Sequence, residues 1–580
     1  MKKLLFTSIF LISISKILAQ ETPVYEWAKG FGNMFNGDWV SAITADNQGH
    51  IITTGRFYNT VDFDPGSSVF NLTGTAYDNE SPYILKLDSD GNLLWAKSFS
   101  NTHDCYTTDI TTDADGNIYI TGSFDGTVDF DPGPGTFELT KIGSFEDNFF
   151  CKLDSDGNFV WAASTPGGFG QMASAIFVDA SLNVYATGHF KGTVDFNPGV
   201  GSFDITALGQ WDIFISKLDA TGAYVWTQRI GGTDHEFAHS LSLDAGGNVF
   251  LSGVFQGTAD FDPGAGTANM TSAGLRDMFI LKLDQDGNFI WAKSIGGPND
   301  ELSMKIKTDA TGNIYGTGVY ESTLDADPGT GEFILTTLYD DFFLLKLDTN
   351  GEFVWAKSWG SDTYEDQLIT LTLGTSGIHT YGHFQGTGDF NPGAGEFTLD
   401  APDGAAFIST LDTDGNFVSV VKAEANSNSY RIITSDDAGN LFTAGRFAAP
   451  LDFDPDLCNE IELTSGVFFV QKLSIAAQPP PGCEGEELVI YNAVSPDGNN
   501  MNDFFKIENI ESNDDTRTNT VTIYNRWGDI VFEVSNYNNT DKVFTGKSNN
   551  GKDLPAGTYY YKIEFQNGLK TKTGFLSLRR

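Results

Sequence analysis

Basic residues are scarce in this chain: 34 Lys and Arg stand against 77 Asp and Glu in 580 residues. Such an acidic surface repels nucleic acid and anionic lipid, and suits cations or neutral ligands such as glycans. Cysteine is scarcer still, with Cys105, Cys151, Cys458 and Cys483 alone. Four are too few for a disulfide framework, and a core of this size needs none. A bridge between Cys458 and Cys483 stays open. Long apolar runs are missing beyond Leu4–Ser15, which is too short to span a bilayer. No nucleophile motif, cofactor loop or metal triad stands out. One zinc-like string, His235-Glu236-Phe237-Ala238-His239, opens a segment that reads as a strand. There the two imidazoles lie about 13 Å apart and cannot share one ion.

The apolar run near the start has a purpose. Lys2 and Lys3 precede it, and Ala19 is a suitable last residue before cleavage, so residues 1–19 read as a secretory signal. No Cys sits near the cut, which argues against a lipid anchor. Removing the signal leaves 31 basic against 77 acidic residues, a net charge of −46. An exported protein without a membrane span is expected.

What is abundant is repetition. Gly116-Asn117-Ile118-Tyr119-Ile120-Thr121-Gly122-Ser123-Phe124 is followed by Gly126-Thr127-Val128-Asp129-Phe130-Asp131-Pro132-Gly133. The Gly before the aromatic recurs as Gly55, Gly122, Gly188, Gly253, Gly318, Gly382 and Gly445, in steps of 67, 66, 65, 65, 64 and 63 residues. A period this regular marks a repeat architecture. Each unit carries four strand-like runs, A to D, in the second unit roughly 106–112, 117–124, 148–153 and 158–164. Asp-Gly-Asn turns join A to B and C to D. Cys151 falls where other units carry Ile, Leu or Val, and is expected in the core.

Strand D carries Trp95, Trp161, Trp226, Trp291 and Trp355, with Ser419 in the sixth place. These Trp are expected to pack between units. The seventh unit ends on strand C at Phe468–Leu473 and has no D strand of its own. Tyr25-Glu26-Trp27-Ala28-Lys29 matches the D pattern, so the N-terminal strand is expected to complete the last unit. The fold class expected is therefore all-β: a seven-bladed β-propeller over 20–474, closed by the N-terminal strand. Its units resemble the propeller repeat called SBBP, a likeness that implies fold and not activity.

Composition changes after Leu473. Residues 475–486 hold three consecutive Pro and read as an extended linker. From 487 to 580 stand Ser495-Pro496-Asp497-Gly498-Asn499-Asn500, Ile523-Tyr524-Asn525-Arg526-Trp527-Gly528 and Leu554-Pro555-Ala556-Gly557-Thr558-Tyr559. This segment resembles the gliding-motility-associated C-terminal domain, the type B sorting domain of the type IX secretion system. The likeness implies a small β-sandwich of about seven strands, passage through the secretion machinery, and delivery to the cell surface or medium.

Two residue sets are candidates for function. The position 17 before the marker Gly holds Asp38, Cys105, Gln171, Glu236, Glu301, Glu365 and Asn428. At the start of an innermost strand these would ring one mouth of a central channel. Three neighbouring Glu there could hold a cation or do acid–base work. The second set follows strand B: Asp62 and Asp64, Asp129 and Asp131, Asp260 and Asp262, Asp325 and Asp327, Asp452 and Asp454. Paired carboxylates suit calcium, while Asp-Pro-Gly is also a plain turn starter. Strand direction puts the B–C inserts and the Glu positions on one face. The expectation is an exported binding or adhesion protein for an extracellular glycan or protein, with a secreted glycan hydrolase or lyase as the alternative.

Overall fold

The computed structural model describes residues 22–476 and 489–580, except 33–37, 75–79, 364–366, 424–430, 448–450, 454–461, 464–465, 492, 497–502, 509, 511–513 and 566–570. The signal peptide, Cys458, Cys483, Asp454, Glu365 and Asn428 lie outside the described residues, as does the linker after Ala476. The chain divides into two compact units, the larger ending at Gln478 and the smaller running from Pro479 to Arg580.

In the larger unit the four-strand sentence becomes an antiparallel A-B-C-D pattern that recurs seven times among the described residues; short pairings of Gly231 with Asp260 and of Gly360 with Asp389 join the third repeat to the fourth and the fifth to the sixth. In the second repeat, strands Cys105–Thr112, Ile118–Phe124, Asp147–Leu153 and Phe159–Thr165 pair in the order A-B-C-D. The turns form for a local reason. Asp113 Oδ1 accepts the backbone N–H groups of Asp115 and Asn117, and Oδ2 accepts the Asn117 amide. Gly116 then takes φ +77°, which a side chain would oppose. The marker Gly has a different cause. Strand A bulges opposite it, and a Cβ on Gly122 would overlap the carbonyl oxygen of Tyr106. Gly55, Gly188 and Gly253 face the same obstruction from Trp39, Met172 and Phe237.

The seventh repeat draws on both ends of the unit. Its sheet contains Arg431–Ser435, Leu441–Arg446, Phe468–Ala476 and, as the outer strand, Thr22–Phe31. Tyr25 lies opposite Leu473 and Gly30 opposite Phe469, the pairing expected from the Trp-Ala-Lys match. The pairing runs further than expected: Thr22 and Pro23 lie opposite Ala476 and Ile475, so strand continues into the stretch read as linker.

Neighbouring sheets pack face to face, and the cores lie in the seams between them. Ala42, Ile52 and Ile84 of the first repeat join Ile110, Ile120 and Phe149 of the second in one buried cluster. Phe31, Phe442 and Phe468 of the seventh join Val40, Ile51 and Tyr83 of the first in another. Each A strand touches the A strand of the next repeat, from Trp39–Ala45 onward, and Arg431–Ser435 touches Trp39–Ala45 again. A side-chain relay repeats across the seams. Lys86, Lys217, Lys282 and Lys346 donate to the C–D turn carbonyls of Ser155, Gln285, Thr349 and Thr413 in the following repeat. Lys472 of the seventh donates to Ser89 of the first, at 3.2 Å.

The smaller unit is described by itself. A five-stranded sheet runs Ala493–Val494, Lys572–Leu578, Gly557–Phe565, Asn519–Tyr524, Ile530–Ser535, and Val489–Ile490 pairs with Ile507–Glu508. These make seven strands among the described residues, joined by one helical turn at Asp514–Arg517. Phe505, Val521, Ile523, Tyr537 and Tyr561 form its core.

Candidate functional site

The Asp pairs after strand B are turn-makers in every described copy. Asp129 Oδ1 accepts the N–H groups of Asp131 and Phe137 at 3.1 and 2.8 Å, and Asp131 Oδ1 accepts that of Gly133 at 2.8 Å. Asp62 and Asp64, Asp260 and Asp262, and Asp325 and Asp327 repeat the pattern. Asn197 and Asn391 occupy the second place in two other repeats and cap the turn equally well. An amide there removes the need for charge. Among the described residues no group of three or more His, Cys, Asp or Glu converges as a metal site. Asp452 lies on the two-residue strand Leu451–Asp452.

The polar positions at the start of strand A are not an open rim. Asp38, Gln171, Glu236 and Glu301 are buried. Strand A leaves its first side chain in the seam, against strand C of the preceding repeat. Gln171 donates to Asp147 Oδ1 at 3.3 Å and accepts from Thr165 Oγ1 at 2.9 Å. Asp38 Oδ1 accepts the Tyr58 N–H at 2.9 Å. Glu236 Oε2 accepts the Gly232 N–H at 2.9 Å, while its Oε1 has no hydrogen-bond partner. Burial pushes the Glu236 carboxyl up to about 8, and the charges of Asp212 and Asp234 push the same way. Burial and then Asp277 push Glu301 up to about 8 as well. At neutral pH both carboxyls are protonated. Each stands by an Asp as Gln171 stands by Asp147, so the seam holds a neutral group at this position in three successive repeats. The sequence shows the acids at this place but not which way strand A turns them.

The HExxH string is extended backbone: Glu236–Leu243 is a strand, and helical spacing is absent. Burial drives the His239 imidazole down to about 3, with Lys305 adding to the effect, so it stays neutral. The D-strand Trp residues face the seams. Trp95, Trp161, Trp226, Trp291 and Trp355 lie against Gly157, Gly222, Gly287, Gly351 and Gly415 of the next repeat, and Trp27 lies against Gly91 of the first. Cys151 is buried in the core, and so is Cys105.

A third set escaped the sequence reading. Eight residues after the first insert Asp stand Phe70, Phe137, Phe203, Phe333 and Phe397, each 37–43 % exposed. Four of these rings pack on an aromatic of strand D: Phe137 on Phe159, Phe203 on Tyr224, Phe333 on Phe353, Phe397 on Phe417, with centroids 4.8–5.6 Å apart. The fixed spacing from Asp was the available signal. Its meaning was hidden because the same spacing serves the hairpin, whose Asp bonds the N–H of that Phe.

Comparison with known proteins separates the two units. Residues 488–578 match the CHU_C Type IX secretion signal domain. The chain is 23 % identical over 532 residues to an uncharacterized WD repeat-containing protein, L264, of Acanthamoeba polyphaga mimivirus, covering 77 % of this chain and 38 % of that one. It is 23 % identical over 218 residues to the regulatory protein FlaEY of Caulobacter vibrioides, covering 37 % of this chain and 22 % of that one. It therefore spans well under half the length of either relative. A solved structure of PorZ, a bacterial surface component of the type IX secretion system of Porphyromonas gingivalis, aligns over 97 % of this chain at 10 % identity. Its TM-score of 0.16 establishes no common fold. The match at 488–578 is the informative one: with a type IX secretion signal domain there, this is a secreted, cell-surface protein.

Proposed function

We propose that the larger unit is a seven-bladed β-propeller of SBBP type and acts as a binding or adhesion module, displayed outside the cell by the sorting domain. Three features support the ring. The A strands touch in a cycle, the first and last strands share a sheet, and Lys472 repeats between the seventh and first repeats the bond that Lys86 makes between the first and second. We assign 1–19 to the signal, 20–474 to the propeller, 475–486 to the linker and 487–580 to the sorting domain.

The observation that carries the binding reading is the recurring exposed Phe on the inserts. Aromatic groups held half in water on rigid hairpins are what a ligand surface offers. Glu236 and Glu301, two of the acids that suggested hydrolysis, are buried in the seams. Glycan-array binding and polysaccharide turnover, measured on the mature protein, test this. Binding without turnover is expected; turnover would replace the binding module with a hydrolase or lyase.

A further inference from the structure

The third seam carries an arginine. Three residues after the D-strand Trp, four repeats carry Ser98, Ser164, Ser294 and Ser358, the sixth carries Lys422, which donates to the Asp400 carbonyl, the seventh carries Gly30, and the third carries Arg229. Ser294 and Ser358 bond to the Asp that opens strand C of their own repeat, Asp277 and Asp341. Arg229 does the same to Asp212 at 2.9 Å, but a guanidinium is longer and carries five N–H groups. One nitrogen is held by Asp212, and no further protein partner engages the fork among the described residues. Arg229 lines a cavity of about 270 Å³ between the inserts of the third and fourth repeats. Phe203, Leu208, Asp260 and Asp262 line it too.

The cavity's chemistry selects its occupant. Phe203 is 43 % exposed and braced from behind by Tyr224. It offers a flat apolar surface. Asp260 and Asp262 spend one oxygen each, Oδ1, on backbone N–H groups, which leaves each Oδ2 to accept. Arg229 supplies donors. An apolar face bordered by both donors and acceptors matches a pyranose ring, with its C–H face and its rim of hydroxyls. Two carboxylates against one guanidinium, already paired, disfavour an anion. Pockets for drug-sized ligands run roughly 300–1,000 Å³, so this one holds a single ring.

We propose that the cavity between the third and fourth inserts is a subsite for one neutral pyranose residue, stacked on Phe203 and hydrogen-bonded by Arg229 and Asp262. This rests on the binding reading above and deepens it. No other repeat carries an arginine at this position.

Two substitutions test it with precedents inside the chain. Phe203→Ala installs the residue that the fourth repeat carries at the same spacing, Ala268. Asp262→Asn installs the group that Asn197 and Asn391 supply at the equivalent turns. Phe397→Ala, in the sixth repeat, is the control. The probes are methyl glycosides of glucose, galactose, mannose and N-acetylglucosamine, followed by saturation-transfer NMR and titration on the full mature chain. At least one is expected to bind with Kd on the order of 1 mM, as suits so small a ligand. Phe203→Ala and Asp262→Asn should each weaken it about tenfold, and Phe397→Ala by less than about twofold. No binding of any glycoside overturns the proposal. So does binding that survives both substitutions, or that Phe397→Ala weakens as much. If the wild-type protein meanwhile binds glycans or proteins on an array, the binding reading stands and this subsite alone falls. If it binds nothing there either, both fall.

Discussion

Glu236, Glu301 and Gln171 occupy one structural position and answer one physical demand. A side chain buried against an Asp must be neutral, or two negative charges meet in a dry seam. Gln meets that demand at any pH, and Glu meets it only while protonated. Both Glu have folded-state values near 8, raised above the ordinary carboxyl range near 4.3. Their stabilising effect is therefore complete below about pH 4.3 and is lost as pH rises toward and through 8. The loss across that window is on the order of a few kcal/mol per glutamate. The double variant Glu236→Gln, Glu301→Gln should melt close to wild type at pH 5 and clearly above it at pH 8.5. Parallel melting curves at both pH values would show that these carboxyls are not protonated in the seam. Asp212, Asp234 and Arg229 face Glu236, and Asp277 and Asp300 face Glu301; all of them stay unchanged in both proteins.

At the scale of elements, the strand Thr22–Phe31 has the most to explain. It supplies the fourth strand of a sheet whose other members lie more than 400 residues away. It buries Ala28 and Phe31, stacks Phe31 on Phe468 at 5.4 Å, and brings Trp27 Nε1 to the Ser89 carbonyl at 3.1 Å. Removing it would expose an unpaired edge along Phe468–Ala476 and uncover one seam core. Deletion of residues 20–31 should lower Tm on the order of 10 °C and promote self-association through the bare edge, read by calorimetry and light scattering. An unchanged Tm would mean the strand is an accessory and the larger unit does not depend on it.

For the whole molecule, the two units divide the charge unequally. Residues 487–580 hold 11 basic and 12 acidic residues, so nearly all of the net negative charge lies on the larger unit. An acidic cargo and a near-neutral address suit a tail read by the secretion machinery whatever precedes it. Removal of 487–580 should leave the protein in the periplasm, and fusion of that segment plus a signal peptide to a reporter should send the reporter outside. Fractionation and surface labelling decide it. Normal delivery of the truncated protein would transfer the address to the larger unit.

Some of this was legible without coordinates, because it is local or periodic. The 63–67-residue period, the Asp-Gly-Asn turns and the Trp-Ala-Lys match depend on nearest neighbours in the chain, and they predicted the sheets and the pairing of Tyr25 with the last C strand. The sorting domain was legible from its separated motifs. The functional positions were not. Whether Glu236 faces a channel or a seam depends on how one repeat packs on the next, and a period-2 pattern is silent about which neighbour a strand face meets. The exposed Phe of the inserts look like core residues until the hairpin stands clear of the sheet. Arg229 reads as one more surface charge until Asp212 and the fourth repeat's insert close around it. Sequence alone determined which strands form and that the protein is exported; only the packing of repeat against repeat decided which polar groups are dry and which face solvent, because burial is a property of two surfaces and the sequence lists them one at a time.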